Sequence, residues 1–205
     1  MRFVSSILAG CAAVALFPAT AAASEELRVG DVCLGLLISY ADCPTTAHFD
    51  LGIAWQRSFS ADDWQTYARG FMEVGLLLET ERGSGLHVGP VAEIGFDLGE
   101  FMSGWHITPK LMGRLWIESI VTLEAAVGST LARTELYDPG VATQVRVGAY
   151  ASVAFTLHAV FGLFAATEQL FDPEVEVGRD HRFILGLRGS LGFWGAAAYV
   201  AAGGK

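Results

Sequence analysis

The chain has 205 residues, with 22 acidic side chains against 13 Lys and Arg, for a net charge of −9. That acidic surplus excludes a nucleic-acid binder, which needs a basic face to displace phosphate counterions. Glycine is abundant, 24 of 205, a poor composition for packed helices, where each interior glycine costs about 1 kcal/mol relative to alanine.

The chain opens with a processing signal. Arg2 supplies a positive end, Phe3 to Phe17 form an uncharged apolar run, and Ala21-Ala22-Ala23 precedes Ser24 as a small-residue cleavage site. The run is too short to span a bilayer, so export with cleavage after Ala23 is expected. Leu8-Ala9-Gly10-Cys11 offers a lipoprotein-type alternative, opposed by the apolar sequence that continues past Cys11. Residues 24–45 form a separate segment holding Cys33 and Cys43. In an oxidising exported setting these two are expected to pair, two small buried thiols being the other reading. The pair would clip the segment into a loop or hairpin over the periplasmic mouth of the domain that begins at residue 46.

From residue 46 the chain alternates. In "HFDLGIAWQRSF", residues 48–59, Phe49, Leu51, Ile53 and Trp55 share one parity and His48, Asp50, Gly52, Ala54 and Gln56 the other. Strict alternation is the mark of a strand with one apolar and one polar face. The same pattern predicts strands over 46–58, 66–79, 86–98, 104–115, 117–131, 143–157, 159–169 and 182–195. Val147 to Thr167, free of Asp, Glu, Lys and Arg, is long enough for a transmembrane helix. It carries His158 at its centre and alternates on both sides of it, so two strands and a tight turn describe it better.

The charges sort by parity. Asp50, Arg69, Glu73, Glu79, Glu93, Asp97, Lys110, Arg114, Glu118, Glu124, Arg146, Glu168, Arg182 and Arg188 all fall opposite the apolar face; Arg57, at a strand end, is the exception. The polar parity mixes acids with bases and adds bulky Tyr67, Phe71, Met112, Trp116, Tyr150 and Trp194, which suits a filled narrow interior. The apolar parity has aromatics near strand ends: Phe49, Phe155, Phe161 and Phe193 at one rim, Trp55, Phe96, Trp105 and Phe183 at the other. Two aromatic girdles around an aliphatic band belong to a membrane barrel. The two longest connections follow odd-numbered strands and the two tightest turns follow even-numbered ones, as for external loops and periplasmic turns. The fold class expected is all-β, an antiparallel up-and-down transmembrane β-barrel of eight strands spanning 46–205, in the bacterial outer membrane.

On these residues the chain resembles the small eight-stranded outer-membrane barrels of the OmpA/OmpX type, in architecture over about residues 46 to 195. Such proteins usually end in an aromatic residue on the last strand, whereas this chain continues "GAAAYVAAGGK". The resemblance implies an integral membrane protein with a structural, adhesive or interactive role and outer-membrane lipid as its first partner.

An interior only wide enough for side chains must pair its charges. Arg69, Glu73, Glu93, Asp97, Lys110, Arg114, Glu124, Arg146 and Arg188 are therefore read as a lumen network, with no open pore. His48, His87 and His158, with Glu79 and Glu118, face inward near one end and would suit a divalent metal if they converged; no metal or other cofactor is otherwise expected. Lipid-modifying barrel enzymes of this size imply a His/Ser pair at the outer rim, for which His106 or His181 with Ser103 or Ser60 are the candidates. The acidic connections, including Asp62, Asp63, Glu100, Glu135, Asp138, Asp172, Glu174, Glu176 and Asp180, are a solvated rim or a divalent-cation bridge to lipopolysaccharide. A soluble lipocalin-like carrier, with the apolar face turned inward, is the remaining alternative.

Overall fold

The structure, a computed structural model, describes residues 28–29, 32–34, 43–59, 64–100, 102–117, 120–136, 143–157, 159–171 and 179–190, together with Trp194 and Ala198. Two short strands come first, β1 (Arg28–Val29) and β2 (Val32–Leu34). Eight long ones come after them: β3 (Thr45–Phe59), β4 (Trp64–Glu79), β5 (Leu86–Leu98), β6 (Met102–Ile117), β7 (Val121–Leu136), β8 (Gln144–Leu157), β9 (Phe161–Phe171) and β10 (Arg179–Gly189). Each of the eight pairs antiparallel with the next, and β10 returns to pair antiparallel with β3, so the sheet closes on itself. The fold is an eight-stranded antiparallel β-barrel.

Period-2 side-chain direction decides what fills it. Along β5 burial alternates residue by residue, with His87, Gly89, Val91, Glu93, Gly95 and Asp97 inside. The opposite parity is apolar and bare: Trp55 is 58% exposed, Val127 62% and Leu163 59%. A water-soluble barrel would have to reverse this arrangement, burying those aliphatic groups. Among the described residues no helix is long and apolar enough to cross a membrane, and Val147 to Thr167 forms β8, a turn and most of β9. At that turn Ala159 takes a positive φ of 50° and the Val160 amide donates to the Leu157 carbonyl.

The strand ends differ from expectation in two places. At the end away from the termini the ladders run further than alternation indicated. Only 60–63 and 99–101 separate β3 from β4 and β5 from β6, while 137–143 and 172–178 remain long. At the other end, β10 stops at Gly189, opposite Leu51. From Thr45 to Ala47, β3 already has β4 on one edge, and β2 pairs with it in parallel on the edge that β10 has vacated. The strand expected to run on to 195 thus ends at Gly189, and residues 191–193 lie outside the described residues. Trp194, expected inside the barrel, is instead helical and half-buried, its indole Nε1 donating to the Leu51 carbonyl at 2.8 Å.

β2 is also covalently tied. Cys33 and Cys43 form a disulfide with a Cα–Cα separation of 6.2 Å. The peptide beside it docks on the barrel mouth: His87 Nε2 meets the Cys43 carbonyl at 2.8 Å and the Glu79 amide donates to the Pro44 carbonyl at 2.9 Å.

Inside, apolar packing occupies part of the lumen. Phe71 meets Phe164 edge-on, with centroids 5.2 Å apart and planes at 83°. Gly52 faces the same space, and a Cβ there would fall on the Phe71 ring. Leu77, Val91, Met112 and Ala126 form a second buried group.

Gly52→Leu overpacks the lumen against Phe71 and should cost about 1–3 kcal/mol, read as a lower urea midpoint for unfolding from vesicles, partly restored by adding Phe71→Ala. Unreduced protein should take up no thiol-alkylating label at Cys33 or Cys43. Reduction should lower stability by roughly 2–3 kcal/mol, the loop-closure value for a loop of this size.

Candidate functional site

Every barrel strand carries at least one charged or imidazole side chain on the inward parity. The result is one chain of ion pairs filling the lumen. Near the end that holds Thr45 and Gly189, Arg114 Nε donates to Glu124 Oε1 at 2.9 Å. Arg188 donates through Nη1 to Glu73 Oε2 at 3.2 Å and through Nη2 to Glu124. His48 sits between, its Nε2 3.0 Å from Glu73 Oε2 and its Nδ1 3.0 Å from Arg114 Nη2. A guanidinium can only donate, so Nδ1 accepts and Nε2 carries the proton given to Glu73. Asp50 completes this level, 3.8 Å from Arg188 Nε.

Towards the other end the acids and bases are different but the logic is the same. Arg69 donates through Nε to Asp97 Oδ1 at 2.8 Å and through Nη2 to Glu168 Oε2 at 3.2 Å. Arg182 reaches Asp97 at 3.3 Å, Glu168 at 3.5 Å and Asp180 at 2.9 Å. Arg146 holds Asp180 at 3.2 Å, and Ser58 donates to the same carboxylate. His106 is fully buried, with Nε2 3.1 Å from Glu93 Oε1.

One side chain joins the two levels. Lys110 Nζ donates to Glu73 below and to Glu93 Oε2, at 2.7 Å, above, and lies 4.9 Å from the centre of the Tyr150 ring. Its single charge is thereby shared by two carboxylates that stand directly opposite one another on the neighbouring strands β4 and β5.

All nine residues expected to line the lumen lie on the inward parity and take part in these contacts, Arg146 half-buried and the other eight buried. Asp50, His106, Glu168, Asp180 and Arg182 join them. Asp50, Glu168 and Arg182 carried the same parity signal. Asp180 reads in sequence as part of an acidic connection, but β10 starts at Arg179 and turns it inward.

The metal-ligand candidates do not gather. His48 groups with Asp50 and Glu73, their donor atoms within 4.8 Å of one another, yet its Nδ1 is already engaged by Arg114 and its Nε2 by Glu73, whose carboxylate also holds Lys110 and Arg188. His87 is turned to the Cys43 carbonyl, and Glu79 caps the turn after β4 by accepting from the Gly83 amide at 2.7 Å. His158 and Glu118 lie outside the described residues. The catalytic candidates separate as well. On β6, Ser103 has the outward parity and His106 the inward, so the barrel wall stands between them. His181 is exposed on the outer face of β10, and Ser60 lies outside the described residues.

Comparison with solved structures places this architecture. The chain is similar to the outer membrane enzyme PagL, with a TM-score of 0.55 at 7% identity over 69% of this chain and 99% of that one. The fold is that of a small outer-membrane barrel. Similarity extends to neisserial surface protein A (TM-score 0.48, 12% identity, 69% of this chain and 95% of that one). It extends also to Ail, the attachment invasion locus protein of Yersinia pestis (TM-score 0.45, 11% identity, 69% and 97%). No protein-family model matches the sequence, and no curated protein does.

Lys110 generates the sharpest expectation. Lys110→Met leaves Glu73 and Glu93 buried without their shared cation and should cost about 3–5 kcal/mol, the usual penalty for breaking a buried ion pair from one side. The triple variant Lys110→Met, Glu73→Gln, Glu93→Gln should recover much of that loss. Equilibrium unfolding of vesicle-inserted protein measures both.

Proposed function

We propose that the protein is an integral outer-membrane barrel that works through its surfaces and not through a pore, in a structural, adhesive or interactive role. The observation that carries this reading is the lumen, filled by a continuous acid–base chain with Lys110 at its waist. Eight strands enclose a space that side chains alone can occupy, and moving an ion through it would require breaking several buried pairs at once. The parts left for function are the outer wall, which belongs to lipid, and the two mouths.

In this reading the signal is removed after Ala23, and the end with both termini faces the periplasm. The segment tied by Cys33–Cys43 then caps that mouth, supported by the hydrogen bond from His87 to the Cys43 carbonyl. The opposite end, with the long connections 137–143 and 172–178, faces outward. Its acidic residues, among them Glu100 and Glu135, both exposed, suit divalent cations shared with lipopolysaccharide.

The test is fractionation combined with conductance. The mature protein is expected in the outer membrane with its N-terminus at Ser24, and to give no steady current steps when purified protein is inserted into planar bilayers. Lys110→Ala, which removes the waist, should produce openings. Steady channels from the wild type, or recovery in the soluble periplasmic fraction, would refute the proposal.

A further inference from the structure

The lumen network is one fixed cation short. Among the described residues it holds seven carboxylates, Asp50, Glu73, Glu93, Asp97, Glu124, Glu168 and Asp180, against six cations, Arg69, Lys110, Arg114, Arg146, Arg182 and Arg188. Two histidines sit among them. His48 does not make up the difference, because its Nδ1 accepts from Arg114 and so carries no proton. His106 is placed differently. Its Nε2 lies 3.1 Å from Glu93 Oε1 and its Nδ1 3.6 Å from Asp97 Oδ1, so each ring nitrogen faces a carboxylate. A neutral imidazole has a single N–H. Either tautomer would leave a bare lone pair aimed at a carboxylate oxygen in a fully buried site.

The strand beside His106 is shaped for its ring. The residue lies directly opposite Gly95, midway between Glu93 and Asp97 on β5. A Cβ on Gly95 would stand 2.5 Å from the ring Cε1 and 2.7 Å from Nε2, so the missing side chain is what lets the imidazole lie across β5 and address both acids. On the other side β7 presents Ala132 opposite, flanked by Thr130 and Thr134, and no charge. Lys110, on β6 itself, is held by Glu73 and Glu93. Arg69 on β4 shares the same two acids, its Nε 2.8 Å from Asp97 Oδ1 and its Nη1 3.8 Å from Glu93 Oε1. Glu168 on β9 offsets that guanidinium through Nη2 at 3.2 Å, and Arg182 on β10 reaches both Asp97 and Glu168.

We propose that His106 is a buried proton-binding site, an imidazolium that supplies the seventh cation of the lumen and addresses Glu93 and Asp97 from its two ring nitrogens. The proton ties the carboxylate that Lys110 holds from below to the one that Arg69 and Arg182 hold beside it. Its loss, by transfer from Nδ1 to hydroxide in alkaline solution, leaves Nε2 bonded to Glu93 and turns the Nδ1 lone pair on Asp97. The joint between these two acids is therefore sensitive to pH, whatever role the outer surfaces of the barrel serve.

The test is nitrogen NMR on the mature protein with 15N-labelled histidine, refolded into phospholipid vesicles and read on the compact form that shifts on boiling. In an imidazolium the two ring nitrogens resonate close together, whereas in a neutral ring they lie far apart. The His106 pair is identified by its absence from His106→Gln, or by through-bond correlation to its own backbone if that variant does not fold. At pH 8, where an unperturbed histidine is neutral, the wild type should show the two His106 nitrogens close together, both bearing protons. Asp97→Asn, which removes one of the facing charges, should move the pair to the widely separated pattern with the proton on Nε2. Gly95→Ala, which pushes the ring off β5, should also separate the pair. A neutral pattern for His106 in the folded wild type at pH 8 would overturn the site. So would an imidazolium that persists unchanged in both folded variants, and if neither variant folds the wild-type pattern decides.

Discussion

In hydrocarbon, a backbone amide or carbonyl without a partner costs several kcal/mol, so a sheet placed there has to close. The pairing of β10 with β3 is that closure, nine residue pairs from His181–Phe59 to Gly189–Leu51, and the other features depend on it. Closure with eight strands sets a lumen too narrow for bulk water. The period of two then forces half of every strand into it. Those inward residues must fill the space and satisfy one another, which is why acids and bases occur there together and why single glycines such as Gly52 sit beneath rings such as Phe71.

The polar interior carries a cost that is easily misread as a source of stability. Buried ion pairs roughly offset their desolvation and seldom add much. The network contributes uniqueness instead, because each guanidinium has few geometries that serve its partners. Arg188 binds acids from β3, β4 and β7, and Arg182 binds acids from β5, β9 and its own strand. A slip of one residue between any two strands would turn a set of charges into lipid. The network thus fixes register while the apolar exterior provides insertion, and the two requirements are met by alternate residues of the same strands.

Much of this was legible in the sequence because the alternation is local. The strand count, the inward parity of the nine lumen residues and the turn near Ala159 all come from a pattern that spans a few residues. Which charge meets which was not legible. Arg188 and Glu73 are 115 residues apart, and their meeting depends on the stagger with which the barrel closes, a global quantity that no short stretch encodes. Two strand limits were misplaced for similar reasons. Apolar alternation continues past Gly189 through Leu191 and Phe193, but β10 stops at Gly189 and Trp194 is already helical. Asp180 looks like its acidic neighbours in the preceding connection until β10 is seen to begin before it. Of the candidate site residues, Ser103 and His106 could have been separated from sequence alone, since three positions along a strand place them on opposite faces.

Strand β8 is the place to ask whether the apolar parity faces lipid and the charged parity a closed interior. Spin labels placed one at a time from Val147 to Phe155, in protein reconstituted into vesicles, report collision with dissolved oxygen, which concentrates in the bilayer. Val147, Ala149, Ala151, Val153 and Phe155 should be oxygen-accessible and Gly148, Tyr150 and Ala154 shielded, a period of two. A reversed alternation would turn the barrel inside out, and a period near 3.6 would replace β8 with a helix; either result would contradict a lipid-facing apolar wall.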